Sequence, residues 1–372
     1  MAEYLTNTTD LTKVASAIRE KGGTSGSLVY PDGFVSAIQA IQTGTELQII
    51  VTVESGATVT ATKGSLSVSG TSVNGTCTLI VPEAGTWSVS ATLGGQTSDT
   101  KTVSITGKYA VALSFVNSTL NNNEWSGIKS VSDAGQGANY WSIGDRKAVT
   151  LNGTVGALTL SNVTTYAFII GFNHNASVEG AKRIHFQLGK TALSGGTDVA
   201  LCDNYYNNTG GGFRMNTSNS NSGGWNSSQM RTKICGTSLS SYSGTIIAVI
   251  PAALRAVLKS VTKYTDNTGN SSAASAVTAT TDYFFLLSEY EVFGSITYGN
   301  TNEKSKQAQY AYYSAGNSKV KYNHSATSTA VYWWLRSPSA SYSTDFVDVY
   351  TDGTVSYNYT YYSRGFAPGF CV

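Results

Sequence analysis

Short runs in which apolar and polar residues alternate, each closed by a glycine-bearing turn, set the strongest limit on how this chain folds. They are densest from residue 46 to 107, where "IIVTV", "TVTAT", "TCTLIV", "TWSVSATL" and "KTVSI" succeed one another. Recurring roughly every ten residues, such runs predict a small antiparallel sandwich, immunoglobulin-like in architecture. The segment has no histidine and its charges are scattered, so it is expected to be a spacer. The composition agrees with many short strands and polar turns: Gly and Tyr are abundant at 38 and 23, while Pro is scarce at 5.

At 372 residues the chain is too long for one ordinary core, and it divides by character into 1–45, 46–107 and 108–372. Charged residues make up only 12%, and the net charge of +2 is not gathered into basic runs. A nucleic-acid partner or an anionic membrane surface is therefore not expected. No run of about 18 apolar residues occurs and the start lacks a basic and then apolar leader, so neither membrane insertion nor secretion is expected. The chain is expected to be made and folded in a cytoplasm. Cys77, Cys202, Cys235 and Cys371 lie far apart, without metal-like spacing, and are expected to be buried thiols.

Residues 1–45 predict two short helices. In "TTDLTKVASAIREKGG", Thr9 or Asp10 caps a helix with Leu11, Val14, Ala15 and Ile18 on one face and Gly22 as its stop. "YPDGFVSAIQAIQTG" sets Phe34, Ile38 and Ile41 at helical spacing before Gly44. So small a unit has no core of its own, and its stripes are expected to dock on another body or on the next domain.

From 108 onward the pattern is α+β. Helices are expected over "NNNEWSGIKSVSDAG", with Trp125, Ile128 and Val131 inward, over "NSSQMRTKICG", with Met230 and Ile234 inward, and over "PAALRAVLKSV", burying Leu254, Val257, Leu258 and Val261. "KAVTLNG", "TYAFIIGF", "RIHFQLG", "GTIIAVI", "DYFFLLSEYEVFG" and "VYWWLRS" read as strands. Near the end, "DFVDVYTDGTVSYNY" is a hairpin signal in which Asp352-Gly353 suits the positive-φ positions of a tight turn. With Val347 and Val349 inward, Asp348 and Tyr350 are expected to point out. On the return strand one of the sets Tyr357, Tyr359, Tyr361 or Ser356, Asn358, Thr360 must face outward.

"YWWLRSP", a Tyr/Ser/Asn-rich interval with a central "DG", and the ending "SRGFAPGFCV" resemble the C-terminal signature of C-type-lectin-like domains. The resemblance extends back through "GANYWSIGDRKAV", "TTYAFIIGFNHN" and "GGWNSSQMR" to about residue 110. The first 45 residues resemble an N-terminal module of phage tail and fibre proteins. Together with the spacer, the chain is similar to phage receptor-binding proteins of the major-tropism-determinant kind. In some of these a diversity-generating retroelement mutates template adenines, yielding the Asn, Tyr, Ser, Asp and Thr that crowd the interval.

The resemblance implies an α+β, mainly β chain: an N-terminal helical attachment or oligomerisation segment (1–45), an immunoglobulin-like spacer (46–107) and a lectin-like ligand-binding domain (108–372) whose region 335–372 looks variable. It implies adsorption to a host-cell surface protein or glycan, contact with tail or baseplate proteins, a place in the virion tail, and a homo-oligomer with a trimer favoured. Tyr supplies a rigid apolar face and a hydroxyl, and Ser, Asn and Asp supply short adaptable hydrogen bonds, as in antibody loops. The candidate contact residues are Ser339, Ser341, Tyr342, Ser343, Asp345, Asp348, Tyr350, Ser356, Tyr357, Asn358, Tyr359, Tyr361 and Tyr362. The alternatives are a bacterial or prophage-encoded surface protein binding glycan or protein with the same domain, and a structural tail component.

Other chemistry is set against these expectations. Asp345, Asp348 and Asp352 lack the lectin calcium motifs around them, and Asp352 is claimed by the turn, so no metal or cofactor is expected. Formylglycine-generating enzymes, of the same broad fold, need a cysteine pair near the C-terminus, whereas here only Cys371 is present. No catalytic triad or HExxH occurs, and no enzymatic activity is expected. His185 alternates in a strand and is expected to be structural. Glu289 and Glu291, read on one strand face, suit ion pairs with Arg336 or Arg364, the arginines that flank the interval. Trp333 and Trp334 are expected to pack in the core. The polar loop 202–226 is either an insertion or a second part of the binding surface.

Overall fold

The structure is a computed structural model that describes residues 8–22, 27–40, 46–94 and 96–372. Strands take 36% and helices 22% of the described residues, so the fold is α+β and mainly β. It forms two compact units, Met1–Ser114 and Phe115–Val372. The expected boundary at 107/108 lies too early, because strand Lys108–Ala112 runs parallel beside Gln48–Thr52 and completes a sheet of the first unit.

In the first unit, helices Thr8–Gly22 and Asp32–Ala40 bury Ala15, Ile18 and Phe34 together, with Leu11 packed against them. Val14 and Ile38, expected on the buried stripes, are 48% and 53% exposed, since so small a partner covers only a narrow strip of each helix. Thr9 lies inside the first helix; Ile41 and Gly44 fall outside the described residues. The strands that follow form two sheets. One orders Thr76–Ile80, Gln48–Thr52 and Lys108–Ala112, and the other is built on Gly85–Leu93 with Thr58–Lys63 and Lys101–Ile105 at its sides. Period-two burial runs through both, with Ile49, Val51, Val59, Ala61, Trp87, Val89 and Val103 inside.

In the second unit, a five-stranded antiparallel sheet places the chain's last strand, Gly369–Cys371, between Phe284–Phe285 and Ile184–Lys190, followed by Leu158–Phe172 and Arg146–Val155. Helix Trp125–Asp133 buries Trp125, Ile128 and Val131 as its spacing predicts, and the Trp125 ring meets Phe186 and Phe370 edge-on. The chain thus leaves this sheet at Lys190, touches its edge again at Phe284–Phe285 and returns at Gly369; the excursions between carry the remaining sheets of this unit. Within the first of them, "MRTKIC" winds as a π-helix over Met230–Cys235, closed by Gly236 at φ +81. "PAALRAVLKSV" makes only one turn, Ala252–Arg255, before Val261 opens a strand.

Two expected strands are helical. "IIAV" forms a turn over Ile246–Val249 with Ile246, Ile247 and Val249 buried, a short apolar run whose periodicity does not separate helix from strand. "EYEVF" forms helix Glu289–Phe293 because Ser288 and Glu291 cap each other reciprocally: the Glu291 amide donates to Ser288 Oγ at 3.1 Å and the Ser288 amide to Glu291 Oε2 at 3.0 Å. Glu289 and Glu291 therefore do not share a strand face.

Candidate functional site

A three-stranded antiparallel sheet orders Trp333–Pro338, Asp345–Val349 and Val355–Tyr359. Every residue of the first two strands is buried. Both indole N–H groups are used internally, Trp333 Nε1 donating to the Lys319 carbonyl at 2.9 Å and Trp334 Nε1 to that of Phe213 at 3.0 Å, so the two rings belong to the core as expected. Arg336 meets Glu291 through both terminal nitrogens, with Nη2 to Oε1 at 2.8 Å, and its Nε donates to Thr265 Oγ1 at 2.8 Å. Burial alone would raise the Glu291 pKa, but Arg336 and Lys263 hold it well below the usual carboxylate range.

The hairpin pairs Val349 with Val355, Val347 with Tyr357 and Asp345 with Tyr359. Its loop is Thr351-Asp352-Gly353, closed by the Tyr350 amide on the Thr354 carbonyl at 2.8 Å. Only Gly353 takes positive φ, at +88, so the turn is the three-residue kind rather than one with both Asp352 and Gly353 in that region. Asp352 Oδ1 accepts the Thr354 amide at 2.9 Å, which accounts for this side chain.

On the outside, tyrosines rest on one another. Tyr342 stacks on Tyr357 with ring centroids 5.0 Å apart and planes at 15°, and Tyr298 meets Tyr357 edge-on at 4.7 Å. Tyr359 and Tyr361 stack at 5.7 Å with planes at 4°, and Tyr362 leans on both. Tyr350 meets Tyr332 edge-on, and the Arg364 guanidinium lies over Tyr332 and Tyr362. Tyr342, Tyr350 and Tyr359 are exposed, as are Ser341 and Ser343, whereas Ser356, Tyr357, Asn358, Tyr361 and Tyr362 are half-buried. Of the two sets on the return strand the tyrosines form the outer layer, while Thr360 is fully buried and donates to the Ser218 carbonyl at 2.7 Å.

Three expected contact residues are buried instead. Ser339 Oγ accepts the amides of Ser341 and Tyr342 and shapes the turn before the hairpin. Asp348, expected to point out, has no exposure, because the strand is covered on both faces: Asn358 Nδ2 donates to it at 2.9 Å and Arg364 lies 3.8 Å away. Burial pushes its pKa up to about 7 against the pull of Asn358 and Arg364. Asp345 is 4% exposed and lies at the edge of the tyrosine layer.

The polar loop 202–226 braces this face. Asn221 Nδ2 donates to the carbonyls of Ser339, Tyr342 and Asp345 at 3.1, 2.9 and 2.9 Å. The Asn216 amide bonds to the Thr360 carbonyl, the Asn207 amide to that of Ser363, and Arg364 Nη1 donates to Asn207 Oδ1. Tyr298, Tyr332 and Asn221 are the residues that sequence reasoning did not assign to the face. All reach it across long chain separations, and only the unusual length of a polar loop hinted at Asn221.

Beneath lies a buried charged cluster. His174, Glu179 and Glu291 place one ligand atom each within 4.8 Å of one another, a metal-like set. The Lys263 ammonium occupies their midst, at 2.6 Å from Glu179, 2.9 Å from Glu291 and 2.8 Å from the Tyr310 hydroxyl, so the chain supplies its own cation there. Burial lowers the His174 pKa to about 3. His185 has its Nδ1 3.2 Å from the Tyr310 hydroxyl and 3.3 Å from Cys371 Sγ, the structural place its strand position implied. All four cysteines are buried free thiols, and burial pushes that of Cys371 up to about 12.

A family described as Domain of unknown function (DUF6273) matches residues 198–372, a span that holds both the bracing loop and the hairpin. No curated protein matches the chain. Among the described residues no helix is long and apolar enough to cross a membrane.

Proposed function

We propose that this chain is the receptor-binding protein of a phage or prophage tail, which adsorbs the virion to a protein or glycan of the host surface through the tyrosine face of a C-type-lectin-like domain. One observation carries the proposal: clusters of exposed and half-buried tyrosines sit on a hairpin that pairs with a strand anchored by a buried ion pair and whose preceding turn is held from the side by Asn221. Rigid aromatic surface that loses few rotamers on contact is what a binding face requires. In the same proposal the two sheets after residue 46 form an immunoglobulin-like spacer, and the N-terminal helices attach the chain to tail or baseplate proteins or trimerise it. Several copies on one particle then raise weak single contacts by avidity, by about 10² to 10⁴. The Tyr, Ser and Asn content of 339–362 suits diversification by a retroelement, which a near-copy of these codons beside a reverse-transcriptase gene would reveal.

The test is a triple substitution, Tyr342→Ala, Tyr357→Ala and Tyr359→Ala, in the full chain, with labelled protein scored on a panel of bacterial strains. Strains that bind the native chain are expected to lose the variant while its tryptophan-monitored unfolding stays cooperative. Retained cell binding by a folded variant overturns the proposal.

A further inference from the structure

Between the hairpin and the turn before it lies a cleft of about 310 Å³ lined by Tyr342, Thr344, Asp345, Tyr357, Asn358 and Tyr359. Its polar groups are unevenly spent. Asn358 gives its Nδ2 to Asp348 and takes Arg364 Nη2 on its Oδ1, so its amide is engaged with the frame at both ends. Thr344 donates its hydroxyl to Asp345 Oδ1 at 3.2 Å. Asp345 Oδ2 has no hydrogen-bond partner among the described residues, although the side chain is almost wholly buried.

No lysine or arginine lines the cleft, and Arg364 is tied to Asn207 and Asn358. What the cleft offers a guest is an unpaired carboxylate oxygen that keeps a little solvent contact, beside aromatic faces. A neutral sugar ring brings donors and acceptors in equal measure, and its acceptors would find only tyrosine hydroxyls as donors here, while the carboxylate would go without a countercharge. A cation brings donors only, and aromatic faces attract it. The single free carboxylate oxygen suits a point donor better than the two-pronged guanidinium fork, which favours an ammonium on a flexible apolar stem.

We propose that this cleft takes the ammonium of a lysine side chain presented by a protein receptor. Asp345 pairs with the charge, and Tyr342, Tyr357 and Tyr359 enclose the stem. The proposal rests on the tyrosine face being the contact surface, and it narrows the receptor to a protein with an exposed lysine at the contact.

The test uses full-length chain carrying 3-fluorotyrosine, with the three ring signals assigned through Tyr→Phe variants. The probes are Nα-acetyl-lysine methylamide, the uncharged norleucine analogue, glucose and glucosamine. The lysine probe is expected to shift the three signals saturably, norleucine and glucose to leave them in place, and high salt to weaken the lysine response. Asp345→Asn is expected to weaken it about tenfold, as for a partly desolvated charge pair. Equal response to norleucine, a lysine response that survives Asp345→Asn, or preference for glucosamine each overturns the assignment. The lysine and norleucine comparison needs no substitution, so it holds even if the variant folds poorly. Cell binding separates the two levels: intact binding by Asp345→Asn with loss in the triple tyrosine variant overturns the lysine assignment alone, whereas intact binding by the triple variant overturns both.

Discussion

The two outer strands of one small sheet divide its labour. On Trp333–Pro338 every side chain is buried and the polar ones have fixed partners, down to both tryptophan N–H groups and all three nitrogens of Arg336. On Val355–Tyr359 no residue is fully buried, and the aromatic rings lean mainly on other rings. The first strand is over-determined by its surroundings, and the second is determined by its neighbour's register with Asn358 as a side-chain tie to the frame. A chain built this way can change the residues it shows without changing the hairpin that shows them.

Breaking the frame should therefore cost far more stability than altering the face. Arg336→Ala leaves Glu291 in a fully buried site with Lys263 as its remaining cation. Removing one partner of such a pair is expected to cost about 3–5 kcal/mol. Urea unfolding followed by tryptophan fluorescence measures this well, because five of the six tryptophans, all but Trp87, lie in the second unit. Arg336→Lys should fall between, since an ammonium cannot reproduce the two-pronged contact. A loss below about 1 kcal/mol, the range of an exposed pair, would show that the network does not hold the frame.

The same contrast exists between two aspartates three residues apart. Asp345 opens onto the cleft, whereas Asp348 is sealed beneath the hairpin, where burial raises its pKa to about 7. A carboxyl with a folded-state pKa above its unfolded value near 3.9 binds its proton more tightly in the native state, so it favours folding at low pH. That contribution is present below about pH 4 and is lost as pH rises toward 7. Asp348→Asn removes this titration and should gain stability relative to the native chain across that window. The stability difference between the two proteins, measured at pH 4.5 and pH 8, checks it. A difference independent of pH would place Asp348 in solvent contact. Lysine-probe binding should be unchanged in this variant, in contrast to Asp345→Asn.

Much of this was legible in the sequence where local physics decides. Helix Trp125–Asp133, the core tryptophans and the hairpin position follow from spacing and turn chemistry, whereas charge narrows the partner of Glu291 only to Arg336 or Arg364, of which Arg336 is found, joined by Lys263. The capping box at Ser288 and Glu291 is also written there, but it begins at the last residue of the apolar stretch "YFFLLS", which reads as a strand. What could not be read is what depends on distant segments. Asp348 alternates with valines as an outward residue should, yet Arg364 and Asn358 close over it. The 202–226 loop has no periodicity, and its role exists only once Asn221 meets carbonyls more than a hundred residues away.

That brace supplies the smallest of the expected effects on stability and the sharpest test of how frame and face are joined. Asn221→Ala removes two N–H donors shared among three carbonyls, but two of those acceptors keep other partners: the Asp345 carbonyl still takes the Ser339 amide at 3.0 Å, and the Tyr342 carbonyl the Asp345 amide at 3.3 Å. The global cost should therefore be about 1 kcal/mol rather than the sum of three bonds. The local consequence should be larger, because the same three carbonyls set the path of residues 339–345, which carry Tyr342 and Asp345 into the cleft. Hydrogen exchange at the amides of Tyr342 and Asp345 should quicken while that of the strand Trp333–Pro338 stays slow. Uniform quickening across both would mean that face and frame open as one unit, and the division of labour between the two strands would not hold.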